Sequence, residues 1–179
     1  MKTVFFDVDT QNDFMLPAGA LYVPGAERII GTIAGLNGWA GAHSIPVIST
    51  ADAHAENDPE FSTWPAHCVA GTAGQRKPPE TLLAGAGQIL IEKQALDCFT
   101  SADLPGVLER LRSERYVVYG VVTEYCVRLA ALGLLKTGAK VELVTDAIVG
   151  LNRADAAKAL DEIQHAGGRL TTVSEVCVG

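Results

Sequence analysis

The 179-residue sequence is poor in aromatic residues (6%) and has no apolar run near the length that crosses a bilayer, which takes roughly 20 residues. It also lacks an excess of positive charge. Fourteen Lys and Arg stand against 21 Asp and Glu, for a net charge of −7. The basic residues are scattered, so the electrostatic footprint of a nucleic-acid binder is missing, and an anionic membrane surface is a poor partner. The opening Met1–Phe6 is too short for a secretory leader and runs at once into Asp7 and Asp9, so a cytoplasmic protein is expected. Cysteines are few (68, 98, 126 and 177) and widely spaced, which with that compartment predicts free thiols. Phosphate-binding loops are missing too. Gly85-Ala86-Gly87 precedes a strand instead of following one, and Gly71-Thr72-Ala73-Gly74 lacks the spaced Lys-Ser/Thr pair. What remains is an ordinary globular composition, 48% apolar and 20% charged, of a size for one domain spanning residues 1–179.

Short Val/Ile/Leu-rich runs alternate with amphipathic stretches. Strands are predicted over 3–8, 46–50, 88–92, 116–121, 140–144 and 169–173. Helices are predicted over 26–40, 104–112, 125–136 and 153–165. Continuous apolar strands suit a sheet covered on both faces, and strand–helix alternation points to a doubly wound parallel α/β sheet. The irregular stretch from Ala51 to about Pro79 is long for a compact domain, and such loops are usually functional.

In open parallel sheets ligands bind beyond the carboxyl ends of the strands. The first strand is followed by Asp9-Thr10-Gln11-Asn12-Asp13-Phe14, and the second by Asp52-Ala53-His54. Lys93 ends the third, and Val122-Thr123-Glu124-Tyr125-Cys126 follows the fourth. Four strand ends thus bring an acid, metal-type ligands, a base and a thiol to one rim. Cys126 opens a helix, whose N–H groups and partial positive charge favour a thiolate and could hold an oxyanion; a small buried hydrophobe is the ordinary alternative for a free cysteine. Asp9 after an apolar run requires a partner. Lys93 is the candidate, and the pair reads as acid/base machinery for the thiol or as a structural ion pair. Strand alternation places Asp7 on the same side as Asp9, with Asp9 nearer the rim, and Asp13 reads as a turn organiser. Asp52 and His54, two apart in an extended segment, point the same way. With His67 they form a two-histidine, one-carboxylate set suited to one divalent ion, whether zinc, iron or manganese. A fourth ligand would come from the acidic stretch 56–60. Cys68, Cys98 and Cys177 read as structural, with Cys68 near the site through its neighbour His67.

These segments, together with Trp64-Pro65-Ala66-His67-Cys68 and Gly120-Val121-Val122-Thr123-Glu124-Tyr125-Cys126-Val127, resemble the isochorismatase-like cysteine hydrolases, and within them the nicotinamidase (pyrazinamidase) branch. The resemblance runs in order over nearly the whole chain. It implies a six-stranded parallel sheet of order 3-2-1-4-5-6 with helices on both faces. It also implies a catalytic set of Asp9, Lys93 and Cys126, and metal ligands at Asp52, His54, His67 and Glu60. A cis peptide is implied between Val121 and Val122, with an oxyanion hole made by the N–H groups of Val122 and Cys126. Phe14, Leu21, Trp64, Val121 and Tyr125 fall on substrate-pocket positions. The stretch Gln94-Ala95-Leu96-Asp97-Cys98-Phe99 departs from the nicotinamidase pattern, in a wall that contacts substrate in the family.

The activity implied is hydrolysis of nicotinamide to nicotinate and ammonia through a Cys126 thioester. One divalent metal, zinc first, would meet the ring nitrogen, and the ring would lie against Trp64 and Phe14. Partners are then a small amide and, by family habit, a second copy in a homodimer, with no nucleic acid and no membrane. Two alternatives stand beside this one. The first is hydrolysis of another small amide, or vinyl-ether cleavage as in isochorismatases. The second is a non-catalytic member that binds a small ligand or a partner protein.

Overall fold

The computed structural model describes residues 1–85 and 87–178; Ala86, in the glycine-rich segment set aside above, and Gly179, at the end of the expected domain, lie outside the described residues. The elements in chain order are β1 (Thr3–Val8), α1 (Asn12–Met15), α2 (Ile30–Ala42), β2 (Val47–Asp52), β3 (Gln88–Lys93), α3 (Leu104–Leu111), β4 (Arg115–Val121), α4 (Arg128–Lys136), β5 (Lys140–Val149), α5 (Arg153–His165), β6 (Arg169–Thr171) and α6 (Val173–Val176). All five strand pairings are parallel, and the order is β3-β2-β1-β4-β5-β6. The sheet order implied by the family resemblance is the one observed. No helix among the described residues is long and apolar enough to cross a membrane.

The two faces of the sheet explain the apolar strands. Val4, Phe6 and Val8 of β1 pack with Ile48, Val118 and Leu143, and on them lie Leu104, Ala130, Leu134 and Ile163 of α3, α4 and α5. Phe5 packs the other way with Val47, Val117 and Val144, beneath Ile33 and Leu36 of α2, Phe14 of α1 and Val176 of α6. The inner strands β1, β2 and β4 therefore bury both of their faces, and period-2 alternation of polarity is lost there.

Some boundaries moved. β2 runs on to Asp52 and β3 to Lys93, and these two residues are register partners; charged ends hid strand length because their partners come from elsewhere in the chain. β5 continues to Val149, past the predicted end at Val144, and its pairing with β4 shifts register between Val118 and Gly120. The helix predicted from Tyr125 is regular only from Arg128; a π-type turn over Thr123–Val127 precedes it. Ala26–Ile29 likewise forms a 3-10 turn ahead of α2.

The short α1 and α6, and 3-10 turns at 59–62, 79–81 and 98–100, are too brief for periodicity to reveal. Gly120 has a φ of 122°, and a Cβ there would lie 2.8 Å from Val8 N. Only glycine permits this approach of β4 to β1.

The candidate active site

Asp9 departs from the expected geometry. Its φ is 49°, a left-handed turn directly after β1. Asp7 stays on the α2 face, bonded to Asn37 and Ser49 at 3.1 Å each and paired with Lys77 at 2.8 Å. Asp9 is turned to the opposite face. Its Oδ1 accepts from the Thr50 hydroxyl at 2.6 Å, and its Oδ2 lies 2.9 Å from Lys93 Nζ. The two aspartates therefore do not share a side, because simple alternation ends where the backbone turns.

Lys93 is buried at the carboxyl end of β3. Its ammonium contacts Asp9, Asp52, the Ala95 carbonyl at 3.0 Å and Cys126 Sγ at 3.9 Å. Burial pushes its pKa down, but Asp9, Cys126 and Asp52 outweigh burial and hold it well above the usual lysine range. Burial raises the Asp9 carboxyl against the pull of Lys93. Apart from the Lys93 ammonium, Asp9 Oδ2 has no hydrogen-bond partner.

Cys126 sits in the π-type turn and is 5% exposed. Burial pushes the thiol well above its ordinary pKa; Lys93 pulls it down, and Asp9 and Asp52 raise it again. The terminal dipole is a modest effect, and here desolvation and two carboxylates oppose it. The Val121–Val122 peptide is cis. The Val122 carbonyl accepts from the N–H groups of Tyr125 (3.1 Å) and Val127 (3.2 Å), passing over that of Cys126 between them.

Asp52, His54 and His67 form one buried cluster whose donor atoms all lie within 4.8 Å of one another. Asp52 Oδ2 is 3.7 Å from His54 Nε2 and 3.8 Å from His67 Nε2. A tetrahedral ion with ligands at about 2.1 Å spaces them about 3.4 Å apart, so a small inward movement would fill the set. Two further observations fit a cation. His54 Nε2 is buried without a hydrogen-bond partner. Both rings are also held by the other nitrogen, His54 Nδ1 to Asp58 Oδ2 at 3.0 Å and His67 Nδ1 to the Pro65 carbonyl at 2.7 Å; such bonds aim Nε2 at a metal. Asp52, with the further carboxylates around it, raises the His54 pKa to about 9, a sign that the cluster is short of positive charge. Glu60 stands 3.9 Å from His67 Nε2 but outside the three-residue set, toward the rim.

A pocket opens onto Cys126. Phe14, Leu21, Trp64, Val121 and Tyr125 line it, as do Asp52, Glu60, His67 and Val122. Trp64 and Tyr125 meet edge to face, with ring centroids 5.5 Å apart. Leu96, from the stretch after Lys93 expected to form a wall, also lines it, as do Val23 and Leu151, which were not foreseen. Nothing in the local pattern marks Val23 and Leu151.

Supporting residues were missed as well. Gln11 is fully buried; its Oε1 accepts from Asp52 N at 2.7 Å, and its Nε2 donates to the carbonyls of Asp52 and Gln75 at 2.8 Å each. Asp13 does organise a turn, accepting from Ala20 N at 3.0 Å and Cys68 N at 2.7 Å. That bond ties the long loop to α1. The Cys68 and Cys98 thiols are both buried and raised by desolvation, Cys98 to about 12, which suits a structural place. All four cysteines are free.

The isochorismatase domain profile matches residues 3–175. The chain belongs to the isochorismatase family. Among isochorismatase-family proteins, it is 26% identical to a nicotinamidase of Escherichia coli strain K12, over 94% of this chain and 93% of that one. It is 29% identical to a nicotinamidase/pyrazinamidase of Mycobacterium tuberculosis, over 93% and 97%. The zinc complex of the pyrazinamidase of Pyrococcus horikoshii superposes with a TM-score of 0.89 at 32% identity, covering 96% of this chain and 99% of that chain.

Proposed function

We propose that the protein is a metal-containing cysteine amidohydrolase that converts nicotinamide and water to nicotinate and ammonia. The observation that carries this reading is the contact of one buried ammonium, Lys93, with Asp9, Asp52 and Cys126 together. It joins an acid/base carboxylate, a nucleophilic thiol and a metal-type cluster within one pocket. The likeness to nicotinamidases over nearly the full chain supports the substrate.

In this reading Asp9 takes the proton of the neutral thiol as Cys126 Sγ attacks the carboxamide carbon, and Oδ2, whose one partner is Lys93, is the atom placed to receive it. Proton transfer and attack belong together, because a free thiolate is disfavoured by burial. The N–H groups of Val122 and Cys126 hold the developing oxyanion, each donor contributing about 3 kcal/mol in such sites. Asp9 then protonates departing ammonia, and water hydrolyses the thioester. Lys93 keeps Asp9 ionised and in place. Phe14, Leu21, Trp64, Val121 and Tyr125 hold the ring. Asp52, His54 and His67, with Glu60 at the rim, would hold one divalent ion, zinc being the first choice, which supplies an electrophilic contact for a ring nitrogen. The enzyme is placed in the cytoplasm, acts without nucleic acid or membrane, and is assigned a homodimeric state.

Ammonia release from nicotinamide by zinc-loaded protein, followed as kcat/KM against pH, tests the reading. Asp9 must be ionised to accept the proton, so activity falls as pH falls, and its raised pKa puts that acid limb above the ordinary aspartate range. No release from folded, metal-loaded protein would remove nicotinamide as substrate.

Asp58→Ala probes the metal set without touching the ring nitrogen that faces the ion. Loss of this outer partner of His54 is expected to weaken zinc binding about 10–100-fold, read by competition with a chromogenic chelator. An unchanged affinity would show that Asp58 does not orient the ligand.

A further inference from the structure

Glu124 lies in the turn that presents Cys126 and touches nothing in the proposed chemistry. Its Oε1 accepts two backbone N–H groups from the β5–α5 connection, Leu151 at 2.9 Å and Asn152 at 2.7 Å. Its Oε2 is buried without a partner. A Cβ at Gly150 would come within 2.5 Å of that oxygen, so the connection is shaped around this carboxylate. Leu151 itself lines the pocket although it is 41% exposed. An apolar side chain so open to water is not held there by burial. Asn152 is committed elsewhere: its side chain caps α5 by accepting from Ala154 N (2.9 Å) and Asp155 N (3.2 Å).

We propose that Glu124 is a positioning residue that fastens the Leu151 wall of the substrate pocket to the turn bearing Cys126, and so sets the width of the entrance for the amide substrate. Packing of α5 against the same turn holds the helix, but not the connection that carries Leu151. β5 ends at Val149, α5 begins at Arg153, and the backbone N–H groups of 151 and 152 are the ones given to Glu124. A carboxylate accepting two N–H groups is a stronger tie than a neutral acceptor. The proposal rests on the amidohydrolase reading only for the identity of the substrate; the tie and the wall are independent of it.

Two measurements test it. The first is steady-state kinetics on nicotinamide. Glu124→Ala is expected to raise KM about tenfold, with kcat changed much less. Glu124→Gln keeps an acceptor oxygen and should recover most of the loss. Leu151→Ala should raise KM in the same way, and the double variant Glu124→Ala/Leu151→Ala should be no worse than the poorer single one, because both remove the same wall. A fall in kcat with KM unchanged, additive effects, or equal damage in the Gln and Ala variants would overturn the proposal.

The second measurement needs no turnover. The rates of Cys126 alkylation by iodoacetamide and by the bulkier N-phenyliodoacetamide are compared by mass spectrometry. Thiol reactivity cancels in their ratio, which reads access alone. Loss of the tie is expected to raise the relative rate of the bulky reagent several-fold in Glu124→Ala and to leave it near wild type in Glu124→Gln. An unchanged ratio in Glu124→Ala would overturn the proposal. Wild-type protein that releases no ammonia yet shows the shifted ratio would sink the nicotinamidase reading and leave Glu124 in its role.

Discussion

Replacing Cys126 by alanine is expected to lower ammonia release from nicotinamide by at least about 10⁴-fold, the scale on which loss of a nucleophile acts in comparable hydrolases. Binding of nicotinamide should persist, because the pocket is lined by side chains the substitution leaves alone. The thiol is buried against Val8, Val127 and their neighbours, so its removal leaves a small void and costs little of the fold. Near-wild-type turnover would dismiss the thioester route. Cleavage of a vinyl ether by the alanine variant would favour the isochorismatase-type alternative, in which the cysteine is dispensable. Selective labelling of Cys126 by a thiol probe in the wild type bears on the non-catalytic alternative. A protein that only binds has no need of a reactive thiol at the pocket floor beside the Lys93 ammonium, and failure to label would favour it.

Lys93→Met is expected to cost about 3–5 kcal/mol of folding stability in metal-free protein, the usual result of leaving buried charges without their counter-charge. Methionine fills most of the lysine stem volume, so the loss reports charge rather than packing. Asp9 and Asp52 would then face each other's field with no ammonium between them. Both would hold protons more tightly folded than unfolded. The folded state would bind more protons, and stability must then rise as pH falls toward the carboxylate range. Urea melts at neutral and mildly acidic pH read both effects. In the wild type the lysine acts in the opposite direction. Its folded pKa is raised, so its contribution is full below the ordinary lysine pKa and is lost only as pH climbs through the raised value. A variant as stable as the wild type at neutral pH would mean that the Asp9–Lys93–Asp52 contacts contribute nothing net. Turnover should also fall sharply, since Asp9 loses the charge that keeps it ionised.

Much of this molecule was legible along the chain. Buried parallel strands write themselves as unbroken apolar runs, and the residues after such runs must sit on one rim of the sheet. Asp9, Asp52, Lys93 and Cys126 could therefore be grouped before any coordinates, and the motif order matched a family whose sheet order is the one seen. His54 and His67 were found by spacing and by their place in one long loop. Tertiary structure alone decided the rest. Asp9 faces Thr50 and Lys93 instead of sharing a side with Asp7, because a single left-handed residue ended the alternation. Burial and two carboxylates from other strands disfavour ionisation of Cys126 against the pull of Lys93, because desolvation depends on everything packed around it. Gln11 grips Asp52 across 41 residues, and Glu124 grips Leu151 across 27. Periodicity and motif spacing report a residue's own neighbourhood. Which distant backbone it will hold, and how strongly its charge is disfavoured, are set only when the strands come together.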